Sequence, residues 1–286
     1  MKTQIELIVI VFFLIVTIIF QGCEEKSSGL TITSTTIYPP YYGEIIYRPT
    51  YDNESFGHPR FVNSDSIIFT EGFSGEGHFD SRIAVLNTKT NVVTVVPNSS
   101  EGDFADVRNG TIIFGTNSYS GPIRVIKNGT VSVLVDGDWP CFNDQGSAFV
   151  YANSDSLFIF SFADSSHKLL YVGGYIPECD EHTIYFQYSS SDGSDNWYHI
   201  YSIPDTGGTP TQLTSGSRSD FGPRADKGNF VFTRGVYNGN YFDYSAIIQN
   251  NMSVVLTLPA LGGDPEILND QILYTAGDGL HIYKWK

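Results

Sequence analysis

Positive charge is what this chain has least of. Lys and Arg number 16 against 31 Asp and Glu, giving a formal net charge of −15 and an isoelectric point near 4.6. That balance argues against a nucleic-acid partner, whose phosphates require a basic surface, and against adhesion to anionic lipid through charge. Long helical periodicity is missing too. Outside the N-terminus no extended segment places apolar residues every 3.6 positions, so helix is expected to be scarce. The six histidines, His58, His78, His167, His182, His199 and His281, never fall at close ligand spacing, which leaves no zinc motif. Gly72-Phe73-Ser74-Gly75-Glu76 comes near a nucleophile elbow. Its second glycine is one position early, and the strand-turn-helix context is absent, so it reads as a glycine-rich hairpin. Ser191 to Asn196 is rich in oxygen donors but lacks the spacing and distant acid of an EF-hand, and reads as an exposed hairpin loop.

What is present is a repeat. Aromatics make up 14% of the 286 residues, and branched and aromatic side chains separated by glycine turns suit half-buried pleated strands. One phrase recurs six times from residue 58 onward. Its starts are His58-Pro59-Arg60-Phe61, Phe104-Ala105-Asp106-Val107, Trp139-Pro140-Cys141-Phe142, Ile176-Pro177-Glu178-Cys179, Gly222-Pro223-Arg224-Ala225 and Asp264-Pro265-Glu266-Ile267. The spacings, roughly 35 to 46 residues, match about one four-stranded propeller blade each. Asn128-Gly129 marks a hairpin inside the second unit, since both residues tolerate positive φ. The expected fold is therefore all-β, a six-bladed propeller over 43–286. Its last unit, from Pro265 to Lys286, holds about three strands. Glu44-Ile45-Ile46-Tyr47-Arg48 is expected to supply the fourth, closing the ring with an N-terminal strand.

Residues 1–22 read as a signal peptide. Leu7 to Phe20 is an apolar run preceded by Lys2, short for a membrane span and of the right length for a signal core. It leads into Phe20-Gln21-Gly22-Cys23, which resembles the lipobox of bacterial lipoproteins. That resemblance implies cleavage before Cys23 and a diacylglycerol on its thiol; a plain transmembrane anchor is the alternative, and both put the body outside the cytoplasm. Residues 23–42 form a Ser/Thr-rich tether stiffened by Pro39-Pro40. Cys141 and Cys179 remain as an even pair, and the expected location outside the cytoplasm permits oxidation. They lie near the starts of consecutive inner strands but one position out of phase, so both a disulfide and two buried thiols stay open. Asn53, Asn98, Asn109, Asn128 and Asn251 begin N-x-S/T triplets, some of them at Asn-Gly turns.

In the fourth unit His199 to Ile203 is a strand, Pro204-Asp205-Thr206-Gly207-Gly208 a turn, and Thr211-Gln212-Leu213-Thr214 a closing strand. This resembles the repeat of TolB-type (WD40-like) propellers, with Asp205 to Gly208 and Gln212 to Thr214 matching the D-x-x-G-G turn and the closing x-L-T. The resemblance covers roughly four-fifths of the chain and implies the fold. The TolB role is not expected to carry over, since no domain is expected between the tether and the propeller and Cys23 is itself expected to be lipidated.

Stacking the six phrases puts Arg60, Asp106, Cys141, Glu178, Arg224 and Glu266 at one equivalent position near the channel mouth. Arg60 is expected between Glu266 and Asp106, and Arg224 between Glu178 and Glu266. Mixed signs suit either mutual neutralisation of partly buried charge or a polar funnel for a ligand or peptide end. Asp106, Glu178 and Glu266 also offer hard oxygens for calcium, as in lactonase-type propellers, although the two arginines would compete for them. The expected function is an envelope-located, lipid-anchored module that binds a protein or peptide and needs no cofactor. Hairpins at Phe73–Asp80, Ser189–Trp197 and Tyr237–Asp243 add Phe73, Trp197, Tyr237 and Tyr241 as contact aromatics. The alternative is a calcium-dependent, lactonase-like hydrolase using the channel carboxylates.

Overall fold

In the computed structural model the described residues are 35–36, 43–48, 54–75, 78–116, 120–191, 196–237, 242–250, 253–259, 264–276 and 279–285. The leader, Cys23, nearly all of the tether and Tyr241 lie outside them. Two short strands come first, β1 (Thr35–Thr36) and β2 (Glu44–Tyr47). Blade I follows as β3 (Glu54–Asn63), β4 (Ser66–Gly75), β5 (His78–Asn87) and β6 (Val92–Val95). Blade II is β7 (Gly102–Arg108), β8 (Thr111–Thr116), β9 (Pro122–Lys127) and β10 (Thr130–Asp136). Blade III is β11 (Asp138–Phe142), β12 (Ala148–Asn153), β13 (Ser156–Ser161) and β14 (His167–Val172). Blade IV is β15 (Gly174–Asp180), β16 (Thr183–Ser191), β17 (Asn196–Pro204) and β18 (Thr211–Gln212). Blade V is β19 (Ser219–Asp226), β20 (Asn229–Tyr237), β21 (Phe242–Asn250) and β22 (Ser253–Pro259), with β1 parallel to its outer edge. Blade VI is β23 (Glu266–Leu268), β24 (Gln271–Ala276) and β25 (Gly279–Lys284), and its fourth strand is β2. The fold is a six-bladed β-propeller.

Hairpin chemistry sets this order. Asn109-Gly110 and Asn128-Gly129 both adopt positive φ, the backbone that a two-residue hairpin needs to match strand twist. Gly72 to Gly75 lies within β4, so the near-elbow is strand, as its missing context implied. Burial falls from the axis outward. In β12 five of six residues are buried, while β6 on an outer edge is largely exposed. Inner strands are covered on both faces by neighbouring blades and so read as continuous apolar runs. The core is accordingly a set of layers between blades. Ile68, Ile83, Ala105 and Phe114 pack blade I on blade II; Phe186, Leu157, Cys141 and Cys179 pack blade III on blade IV. Tyr185 meets Phe230, their centroids 5.3 Å apart, between blades IV and V.

Closure joins distant parts of the chain. β2 runs antiparallel to β25, pairing Glu44 with Ile282 and Tyr47 with Leu280. Two glycines let the backbones approach. A Cβ on Gly43 would overlap the Ile282 carbonyl, and one on Gly279 the Tyr47 carbonyl; both glycines also have positive φ. Gly43→Ala and Gly279→Ala should each destabilise the protein by about 1–3 kcal/mol, because backbone rather than a flexible side chain would have to move. Gly57→Ala, whose Cβ would meet nothing within 4 Å, is the control and should change the urea midpoint little.

Candidate functional site: a charged channel floor

Five of the six repeated phrases mark a distortion of an inner strand. Between Gly57 and Arg60 blade I spends three residues against two on β4, and the same extra residue occurs at Asp103–Asp106, Asp138–Cys141, Tyr175–Glu178 and Phe221–Arg224. These are β-bulges, which bend a strand and re-aim the side chain that follows. The residue opening each phrase has positive φ: His58, Phe104, Trp139, Ile176, Gly222 and Asp264, between 46° and 56°. Only one of them is glycine. A β-branched residue such as Ile176 in that region is strained, so the packing around the axis must hold it there.

The five bulges, with the start of β23 in blade VI, bring the six ring residues to one place. Arg60 Nη1 stands 3.1 Å from Asp106 Oδ2, its Nη2 bonds Glu178 Oε2, and its Nε lies 3.9 Å from Glu266 Oε2. Arg224 stands 3.3 Å from Glu266 and 3.7 Å from Glu178. The expected neighbours are therefore adjacent, with one addition that stacking the phrases did not show: Arg60 reaches across the axis to Glu178. The ring also sits deeper than a mouth. Arg60, Asp106, Glu178, Arg224 and Glu266 are each no more than 9% exposed. At the sixth position, Cys141 Sγ is 2.7 Å from Cys179 Sγ, both as free thiols. The phase argument that set them apart applies within one strand or pair of strands. These two come from adjacent blades, whose inner strands stand side by side around the axis.

The two ends of the channel differ. Toward the hairpins that follow the inner strands, a cavity of about 160 Å³ opens above the ring and is lined by Arg60, Asp106, Glu178, Cys179 and Glu266. Its wall carries Arg108, Asp144, Asp180 and Asp226. Several of these also tie blade to blade. Asp106 accepts the Phe142 N–H at 2.7 Å, Asp180 the Gly228 N–H at 2.8 Å, and Asp226 the Asn269 N–H at 2.7 Å. At the other end the channel is plugged. His58 lies over Phe104 at 4.0 Å, and Phe104 meets Trp139 edge-on at 5.6 Å. Only about 10 Å³ is left among them, the least that holds a single water. His58 Nδ1 also pairs with Asp264 at 3.1 Å, so the plug links blades I and VI. These plug residues were not singled out from the sequence. Their signal was there, as the first position of each phrase.

Electrostatics follow from burial. Burial pushes Glu266 up to about 7, against the pull of Arg60 and Arg224 and with Asp106 and Asp226 adding to it. Glu266 Oε2 accepts no hydrogen bond. Arg60 moves upward despite its burial, because Asp106 and Glu266 favour its charge, whereas burial and repulsion from Arg60 lower Arg224. For His58, burial is outweighed by Asp264 and Asp103, which raise it above its ordinary 6.5. Burial drives the Cys179 thiol well upward. Among the described residues no group of three His, Cys, Asp or Glu side chains is arranged to hold a metal ion. A second buried pair lies away from the axis: Asp220, fully buried, takes both Nε and Nη2 of Arg234 at 2.6 and 2.8 Å. It was not foreseen either, and nothing in the repeat marks it.

No protein-family model matches this chain, and no curated protein matches it. Solved structures do resemble it. A putative TolB from Agrobacterium tumefaciens superposes with a TM-score of 0.57 at 11% identity, covering 82% of this chain and 91% of that one. The β-propeller domain of the Trilobed protease from Pyrococcus furiosus gives 0.51 at 11% identity, over 82% and 95%. TolB from Acinetobacter baumannii gives 0.50 at 14%, over 72% and 57%. At these identities the likeness is one of fold.

The raised groups fix the pH dependence of stability. Glu266 has a folded value above its ordinary 4.5, so its contribution is complete below about 4.5 and disappears as pH rises through about 7. His58 likewise contributes fully below 6.5 and loses that contribution above it. The melting temperature should therefore fall between pH 5 and pH 8. Glu266→Gln should flatten the lower part of that decline and His58→Gln the upper part, read from thermal melts at stepped pH. A decline unchanged in both variants would refute the assignment.

Proposed function

We propose that the protein is an extracytoplasmic, membrane-tethered propeller that binds a protein or peptide segment at the open end of its channel. The observation that carries this is the one-sided funnel, a polar cavity of about 160 Å³ with a charged floor beneath short hairpins and a plug behind it. A rigid ring presenting such a recess suits recognition, because the scaffold brings loops and charges to one face without ordering them on binding. The funnel holds an extended tip or a side chain, not a folded domain, so a partner must insert a segment. The apolar leader ending at Cys23 supports tethering, and the fold shared with the TolB structures is compatible with an envelope role. For the hairpin aromatics, Phe73 lies against Arg82, whose guanidinium carbon is 4.4 Å from the ring centroid. It is thus engaged within its own blade.

The calcium-dependent hydrolase is the weaker reading. Asp106, Glu178 and Glu266 would be its ligands, yet each is already within 4 Å of a guanidinium. A cation would have to displace Arg60 and Arg224 from buried carboxylates, at a cost of several kcal/mol.

Two experiments test this. A photo-crosslinking residue at Arg108 or Asp144, on the funnel wall, should yield adducts to a partner in intact envelopes, while one at Val133 on an exposed outer strand should not. Adducts from Val133 alone would overturn the funnel as the binding face. Separately, adding calcium to the chelator-treated full chain should leave its melting temperature unchanged. A site filled to about a thousand times its dissociation constant would add about 4 kcal/mol, and a shift abolished by Asp106→Ala would favour the hydrolase.

A further inference from the structure

The channel floor contains an arrangement that the binding reading does not use. Cys141 and Cys179 belong to the inner strands β11 and β15 of adjacent blades, and their sulfurs stand 2.7 Å apart. Both are buried, Cys141 at 1% and Cys179 at 8% exposure, in the apolar layer between blades III and IV. A disulfide bond is about 2.05 Å long, so less than about 1 Å of movement would close one. The two residues are not equally reachable. Cys179 lines the funnel cavity, whereas Cys141 does not and is the more deeply buried of the two. A small reagent entering the funnel meets Cys179 first, with Cys141 placed to resolve the adduct.

We propose that Cys141 and Cys179 form an oxidative modification site, closing to a disulfide that welds blade III to blade IV beside the charged floor. The oxidant is a disulfide, either a small molecule of the glutathione class or an exported dithiol oxidase acting before the strands pack. The Cys179 thiolate attacks one sulfur of the reagent disulfide, forming a mixed disulfide and expelling one thiolate. The Cys141 thiolate then attacks the Cys179 sulfur and expels the second. The two cysteines lose two protons and two electrons, and the reagent becomes two thiols.

Two consequences follow from position. The bridge fixes Cys179, whose neighbour Glu178 is the carboxylate that Arg60 reaches across the axis, so it holds the funnel floor in its paired arrangement. It also ties two blades covalently across a loop of nearly forty residues. Constraining the unfolded chain over a loop of that length corresponds to a rise of roughly 10 °C in melting temperature for a domain this size. Because burial holds the Cys179 thiol in its protonated form, closure in the folded protein should be slow at neutral pH and speed up as pH rises, since the thiolate is the nucleophile.

The test uses the full chain, purified reduced in detergent and treated with oxidised glutathione at pH 7 and pH 9 before quenching with an alkylating reagent. Non-reducing peptide mapping should recover the Cys141 and Cys179 peptides joined, with two mass units lost, faster at the higher pH. The melting temperature should rise by roughly 10 °C, and reduction should return it. A glutathione adduct that persists on Cys179, or linkage of either residue to Cys23 instead, would overturn the proposal. Cys141→Ala and Cys179→Ala should each abolish the shift. If a variant fails to fold, the peptide map of the unaltered chain decides alone. Alkylating intact cells before lysis then asks a separate question. A chain that closes readily once purified but is fully alkylated in cells would count against the extracytoplasmic reading and leave the site itself standing.

Discussion

Among the described residues, Arg60 is the one side chain on the axis that forms ion pairs with three other blades. From blade I it reaches Asp106 of blade II, Glu178 of blade IV and Glu266 of blade VI. A propeller brings the inner ends of all its sheets to a narrow channel, where side chains lose water whether or not they are apolar. Charges placed there must neutralise one another, since an unpaired buried ion costs several kcal/mol. Two guanidiniums among three carboxylates nearly achieve this, and Glu266, with a hydrogen-bond-free oxygen and an upward-shifted carboxyl, absorbs the remainder. The arrangement contributes less to net stability than its bond count implies. It does tie blades I, II, IV, V and VI together at one level of the axis.

The bulges make the ring possible. Without the extra residue that five of the six inner strands insert, alternation would send the residue after the proline or alanine to the side, into the apolar layer between blades. With it, the same residue faces the axis. The left-handed residue that starts each bulge carries the strain, and the first three of these, His58, Phe104 and Trp139, repay it by stacking into the plug. The strained position and the closed end of the channel are thus one feature, and the opposite end is left open because inner strands end there in short hairpins.

Much of this was legible in the amino-acid order, because a repeat encodes position. Six phrases at blade-like spacing gave the count of sheets, and aligning them put Arg60, Asp106, Glu178, Arg224 and Glu266 on a single level. A repeat does not encode reach. That Arg60 crosses to Glu178, that the level lies inside the channel, and that Cys141 meets Cys179 all depend on how narrow the axis is and on contacts between blades. Single-strand alternation does not describe those contacts. The Asp220–Arg234 pair was hidden for the same reason: its partners are directly paired across β19 and β20, but no other blade repeats the combination in the same form. Features shared by all six units can be read from sequence, and features confined to one need the structure.

That distinction bears on function as well. The parts common to every blade, its strands and apolar layers, make a propeller, and that fold is what the TolB structures share at 11–14% identity. The parts that differ from blade to blade are the identity of the ring residue and the charge of the wall beyond it. Around the axis the ring reads arginine, aspartate, cysteine, glutamate, arginine and glutamate, an asymmetric set in a nearly symmetric frame. An insertion pocket that must recognise one orientation of one segment needs such asymmetry, because a uniform ring would accept a ligand turned to any of six positions. The single cysteine position, Cys141, breaks the ring's charge and carries the only sulfur on it, and it adjoins Cys179, the thiol that borders the funnel.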